Sequence, residues 1–111
     1  MSTTVINGRN IIGSELSGAG QATFQAFNPR QGTAIASKFT EATEEEIGRA
    51  AQLAARAAER LQELGPAETA DLLEAIREEI LGLGDELIEK ANEETALGLD
   101  RLRGERDRTT N

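Results

Sequence analysis

Carboxylates dominate the residues that could do chemistry in this chain. Glu44-Glu45-Glu46 is an acidic run that could hold a hard cation, and Glu78/Glu79 and Glu93/Glu94 are pairs that could be read as glycosidase acids. Acid–base work on a glycosidic bond needs two carboxyl groups held at a set separation, one with a raised pKa. Sequence neighbours on a helix point apart, so neither pair meets that need. The run at 44–46 has a simpler use at the start of a helix, where the dipole favours negative charge. Arg101, Arg103, Arg106 and Arg108 could clamp a phosphate. They alternate with Asp100, Glu105 and Asp107, and Arg101–Glu105 and Arg103–Asp107 are spaced i,i+4 for local pairing.

Other chemistries lack their parts. The chain has no Cys and no His. That removes the thiolate, the commonest general base and the commonest metal ligand. Ser and Thr hydroxyls are plentiful, but an acyl-transfer triad cannot be built without a histidine base. The glycines of "NGRNIIG" and "SGAGQ" match neither G-x-x-x-x-G-K-[ST] nor G-x-G-x-x-G, so no phosphate loop is expected. The residues alone therefore point to no catalytic, cofactor-binding or metal-binding residue within the chain.

Charge is unevenly placed. The net charge of −8 divides into +2 over residues 1–40, −12 over 41–100 and +2 over 101–111. The acidic middle reads as a solvated helical surface, and it argues against nucleic acid and anionic membranes as partners. "MSTTVINGRN" lacks a signal-peptide apolar run, and no stretch approaches the length of a membrane span. A soluble, cytoplasmic protein is the expectation.

The elements that must position these residues change type at about residue 42. Residues 3–39 read as strands and turns. "TTVINGRNIIG" suggests a tight type I′ hairpin turning at Asn7-Gly8, flanked by Val5, Ile6, Ile11 and Ile12. "SELSGAGQ" reads as a loop. "TFQAFNPRQGTAIASKF" reads as a second hairpin, with Pro29 and Gly32 turning the chain. Beyond it, Thr43 as N-cap with Glu46 three residues on makes a capping box. Ile47, Ala50, Ala54, Ala57, Leu61 and Leu64 repeat at helical spacing. Gly65 is placed to act as the C′ stop and Pro66 to open the next helix, which carries Leu73, Ile76, Ile80 and Leu83 on one face. "GLGD" at 82–85 suggests a break with Asp85 as a new N-cap. The apolar face continues through Leu87, Ile88 and Ala91 to about Leu97. Gly98 breaks it again, and a last helix starts near Asp100. The expectation is an α+β fragment: N-terminal β-hairpins over residues 1–40, then three to four helices over 41–111.

A core made from these residues is thin. The aromatics are Phe24, Phe27 and Phe39, and from residue 40 onward the apolar residues are Ala, Leu and Ile. Small side chains bury little area each, so the helices are expected to expose apolar faces that a partner would cover.

Taken in order, the pieces resemble the opening segment of the aldehyde dehydrogenase superfamily. The resemblance rests on the Asn-Gly segment, then "FQAFNPRQGTAIASKFTEAT", an Ala-rich helix, a Leu-rich helix, and "EETALGL" leading into a charged helix. The stretch "LDRLRGERDRTT", with Gly104 to Thr109 as its core, is similar to the branch that oxidises 2-oxoglutarate semialdehyde (2,5-dioxopentanoate) and to its fatty-aldehyde relatives. The resemblance spans nearly all 111 residues. It implies a longer enzyme with a Rossmann-like cofactor domain, in which the N-terminal hairpins brace the domains and residues 41–111 flank the cofactor domain. It also implies NAD(P) as cofactor, a homo-oligomeric parent, and the remainder of that parent as partner. In the family, a Cys attacks the aldehyde, hydride passes to NAD(P), and a Glu activates water. The nucleophilic Cys, that Glu, the oxyanion-hole Asn and the phosphate-contacting residues all lie downstream of the matched segment. None is carried over here, and this chain alone is expected to bind no cofactor and to be inactive. "RTTN" without a C-cap signal fits a chain that continues. The competing expectation is a stand-alone binding or regulatory module that has kept an enzyme-like segment.

Overall fold

The computed structural model describes residues 5–111. Thr3 and Thr4, where the strand reading begins, lie outside the described residues. Two antiparallel hairpins are followed by four helices, as the α+β expectation required. The chain forms two compact units, one holding 5–26 and 36–65, the other 27–35 and 66–111.

In the first unit, β1 (Asn10–Ile12) pairs with β2 (Glu15–Ser17), with Ile11 opposite Leu16. The expected first hairpin is thereby corrected. The chain turns at Gly13-Ser14, where Gly13 has φ +63, and not at Asn7-Gly8. Part of "SELSGAGQ" is strand β2, not loop. A type I′ turn needs positive φ at both central residues, and only Gly8 of the pair has it. Tertiary contact explains the difference. Gly8 lies against β4 (Thr33–Thr40), its carbonyl accepting from the Thr40 N–H at 2.8 Å. A Cβ at Gly8 would stand 1.8 Å from the Lys38 carbonyl oxygen. Gly20 makes a similar approach, its would-be Cβ 2.1 Å from the Glu41 carbonyl oxygen.

The second hairpin forms as expected. β3 (Thr23–Asn28) pairs with β4 around the "NPRQ" turn. Asn28 holds that turn: its Oδ1 accepts from the N–H groups of Arg30 and Gln31, at 3.0 and 3.1 Å. Gly32 at φ +71 donates its N–H to the Asn28 carbonyl at 2.9 Å. Phe24 and Phe39 stack with ring centroids 5.6 Å apart.

Helix α1 (Glu44–Glu63) opens on the expected capping box, with the Thr43 and Glu46 side chains each bonding the other's backbone N–H. It ends before Gly65, but Gly65 is not a left-handed stop. Leu64 is the C-cap, with extended backbone and its N–H bonded to the Leu61 carbonyl. The face turned to the first hairpin is also not the expected apolar stripe. Glu46, Arg49 and Leu53, at i, i+3 and i+7, share one side of the helix. Glu46 and Arg49 reach β2, and Leu53 lies over Gly13. Ile47 and Leu61 stay 59% and 51% exposed.

In the second unit, α2 (Pro66–Gly82), α3 (Asp85–Thr95) and α4 (Leu99–Thr110) follow the expected breaks, with α4 packing on both α2 and α3. Asp85 is the first helical residue of α3, and Gly84 takes the N-cap place with φ +61, which glycine adopts without a Cβ penalty. Ala96 takes φ +60 after α3, donating its N–H to Asn92 O, while Asn92 Nδ2 donates to Leu97 O at 2.7 Å. Among the described residues only Ile12, Ile35 and Ile88 are buried aliphatic side chains. The thin core and the uncovered helix faces are as expected. Among the described residues, no helix is long and apolar enough to cross a membrane.

Candidate functional site

The acidic run divides in the structure. Glu44 and Glu45 are exposed, as a helix N-terminus would have them, whereas Glu46 is 2% exposed. The capping box turns its carboxylate back toward the helix start, and the β1–β2 hairpin closes over it. Water as hydrogen-bond donor is thus replaced by fixed protein donors. Glu46 Oε2 accepts a short hydrogen bond from Ser17 Oγ and a longer one, 3.5 Å, from the Ala19 N–H. Glu46 Oε1 accepts from the Thr43 N–H at 3.0 Å and from Thr43 Oγ1 at 3.2 Å. Arg49 Nη2 donates to Ser17 Oγ at 3.0 Å, so one hydroxyl links a cation to the buried anion.

These donors hold the carboxyl at a pKa of about 2. The Ser17 hydroxyl is the largest cause and the Thr43 N–H the next; desolvation opposes them, and the Ala19 N–H and Thr43 hydroxyl add to the lowering. A carboxylate so stabilised is a poor proton acceptor near neutral pH, because general bases work best with a pKa near the operating pH. Its lone pairs are already engaged by protein donors. The cluster is a clasp between β2 and the start of α1, and its chemistry is hydrogen bonding. Ser17 and Glu46 are 29 residues apart, and the local capping signal at Glu46 says nothing about its second oxygen. Sequence reasoning therefore placed Glu46 on an exposed turn.

The remaining candidates do not form a shared site. Glu78 pairs with Arg77 at 3.1 Å, and Glu93 with Lys90 at 3.0 Å. The expected Arg101–Glu105 and Arg103–Asp107 pairs are not made. Arg103 faces Asp100 at 3.5 Å instead. Arg106 turns inward to the α2–α3 junction, donating to the Gly84 carbonyl at 3.2 Å and standing 3.9 Å from Asp85. Tertiary position decides this: Arg106 lies where α4 crosses the start of α3, so a backbone carbonyl that lacks a helical partner competes for it. Its Nε is buried without a hydrogen-bond partner among the described residues. Arg77 likewise leaves its own helix, donating from Nε to the Thr110 carbonyl at 2.9 Å. These arginines fasten helix ends to one another.

Comparison with known proteins adds what the geometry lacks. No family model matches the chain, and no solved structure matches it. The chain is 41% identical over 105 residues to "Alpha-ketoglutaric semialdehyde dehydrogenase 2" of Azospirillum brasilense, covering 94% of this chain and 20% of that protein. It is 35% identical over 104 residues to "Alpha-ketoglutaric semialdehyde dehydrogenase" of Acinetobacter baylyi, again covering 94% of the chain and 20% of the relative. The chain thus spans about a fifth of the length of these curated relatives. Over nearly its whole length it is similar to one segment of two proteins named as alpha-ketoglutaric semialdehyde dehydrogenases, in keeping with the resemblance.

Proposed function

We propose that this chain is the N-terminal portion of an NAD(P)-dependent aldehyde dehydrogenase that oxidises 2-oxoglutarate semialdehyde to the dicarboxylic acid. Its part in that enzyme is bracing and packing. The 41% identity over 94% of the chain is the observation that carries the reading. The exposed aliphatic faces support it: Ile47 and Leu61 on α1, and Leu73 at 62% exposure on α2, are surfaces that gain by being covered. The rest of the parent enzyme would cover them, and the parent would work as a cytoplasmic homo-oligomer.

The chain's own residues do not fit a nicotinamide dinucleotide. It carries no Gly-rich phosphate loop, and it supplies no cysteine nucleophile. Glu46, the one buried carboxylate among the described residues, is already engaged by the Ser17 hydroxyl and the Thr43 amide. Cofactor and chemistry are therefore assigned to the remaining four-fifths of the parent, and this chain alone to neither.

A chimera tests the proposal. The matching fifth of the Azospirillum enzyme is replaced by this chain, and NAD(P)H formation from 2-oxoglutarate semialdehyde is followed. The chimera is expected to keep kcat/KM within about tenfold of the parent, a difference of roughly 1.4 kcal/mol. A chimera that folds to the parent's oligomeric state and turns over no aldehyde would refute the reading.

A further inference from the structure

The Asn7-Gly8 pair does not form the hairpin turn it suggested; Gly8 packs on β4 and the Asn7 side chain stays exposed. We propose that Asn7 is a site of spontaneous covalent modification, in which the Gly8 amide nitrogen attacks the Asn7 side chain to give a succinimide and then an aspartyl or isoaspartyl link.

Asn7 offers its side chain to solvent, while Gly8 is buried against β4 and its N–H has no partner among the described residues. Asn7 Oδ1 accepts from the Arg9 N–H at 2.8 Å, an Asx-type turn that folds the side chain over the following backbone. The same N–H draws electron density from Cγ and stabilises the oxyanion that forms there during attack. Among the described residues no hydrogen bond engages the Asn7 Nδ2 group or the Gly8 N–H. Glycine puts no side chain in the path of ring closure. The required backbone rotation also falls on the free side of the pair. Gly8 is held by Thr40, but Val5 and Ile6 are exposed and belong to no strand.

The step balances with water alone. The Gly8 N–Asn7 Cγ bond forms, the Cγ–Nδ2 bond breaks, and ammonia leaves with the proton from Gly8. Water then opens the ring at either carbonyl. Opening at the main-chain carbonyl leaves an isoaspartyl link, one methylene longer, directly before Gly8. Gly8 has no room to absorb that change, given its approach to Lys38. Asn10, Asn28 and Asn92 are shielded. Asn10 precedes β-branched Ile11 within β1, Asn28 precedes Pro29, which has no N–H, and Asn92 lies inside α3.

The test is to incubate the full chain at mildly alkaline pH, both folded and in urea, and to map the mass gain of amide-to-acid conversion by fragmentation. The gain is expected at Asn7, with isoaspartate as a product, at a folded-chain rate within about tenfold of the unfolded rate. Asn7→Ser, which can still accept from the Arg9 N–H, is expected to abolish it. Amide exchange at Thr40 is expected to speed up in the isoaspartyl fraction. A folded chain more than about tenfold slower than the unfolded one would show that the fold protects the pair, and would overturn the proposal. So would conversion at Asn10 or Asn92 ahead of Asn7.

Discussion

Gly8→Ala and Gly32→Ala form a matched pair that tests the close approach of Gly8 to β4. Both glycines have φ +71. An alanine at either pays the left-handed conformational penalty of about 1–2 kcal/mol. Reduced freedom of the unfolded chain returns about 0.4–1 kcal/mol. At Gly32 nothing lies within 4 Å of the new Cβ, so the account stops there, at a net loss of roughly 1 kcal/mol. At Gly8 the Cβ would stand 1.8 Å from Lys38 O and 3.1 Å from Phe39 Cα. Ordinary contact needs roughly 1.5 Å or more of backbone retreat from that position. The retreat breaks the Thr40 N–H to Gly8 hydrogen bond, worth about 1 kcal/mol, and overpacking adds about 1–3 kcal/mol. Gly8→Ala is therefore expected to cost about 3 kcal/mol or more, at least 2 kcal/mol beyond Gly32→Ala. Native-state hydrogen exchange reads each site locally, through the Thr40 amide for Gly8 and the Gly32-position amide, bonded to Asn28 O, for the second hairpin. Equal losses of protection in the two variants would refute the close-approach argument and leave only the φ penalty.

Glu46 sets the acid limit of the first unit. Its folded pKa is lowered to about 2, below the unfolded value of about 4.3. Its contribution to stability is thus fully present above about pH 4.3 and is lost as pH falls through about 2. A Glu46 carboxyl signal titrating by NMR near pH 2 is expected, and Ser17→Ala is expected to move that midpoint upward; a wild-type midpoint in the ordinary carboxylate range would contradict the clasp. The exposed α1 and α2 faces predict self-association of the isolated chain that strengthens with concentration. Ile47→Glu with Leu61→Lys is expected to reduce it in sedimentation equilibrium, and a wild-type chain monomeric at all concentrations would count against those faces as sticky surfaces.

Local structure was legible wherever the determining forces are local. The NPRQG turn, the Thr43–Glu46 capping box, Pro66 opening α2 and the breaks at 82–85 and 98 all follow from φ preferences and nearby hydrogen bonds. So did the resemblance to aldehyde dehydrogenases, which rests on the order of such signals along the chain. The first hairpin was misplaced because Asn-Gly is a turn signal only when nothing else claims the glycine, and β4 claims Gly8. The Arg101–Glu105 and Arg103–Asp107 pairs did not form because an exposed i,i+4 pair is worth only about 0.3–0.5 kcal/mol. Arg103 turns to Asp100, three residues back, instead. Glu46 shows the boundary most clearly. Its place three residues after Thr43 is written in the sequence, but its burial and its low pKa depend on Ser17 and Ala19, which only the tertiary fold brings to the start of α1. Hydrogen-bond caps act across three residues and can be read from spacing. A desolvated carboxylate survives only where distant donors converge on it, and spacing along a chain does not encode convergence.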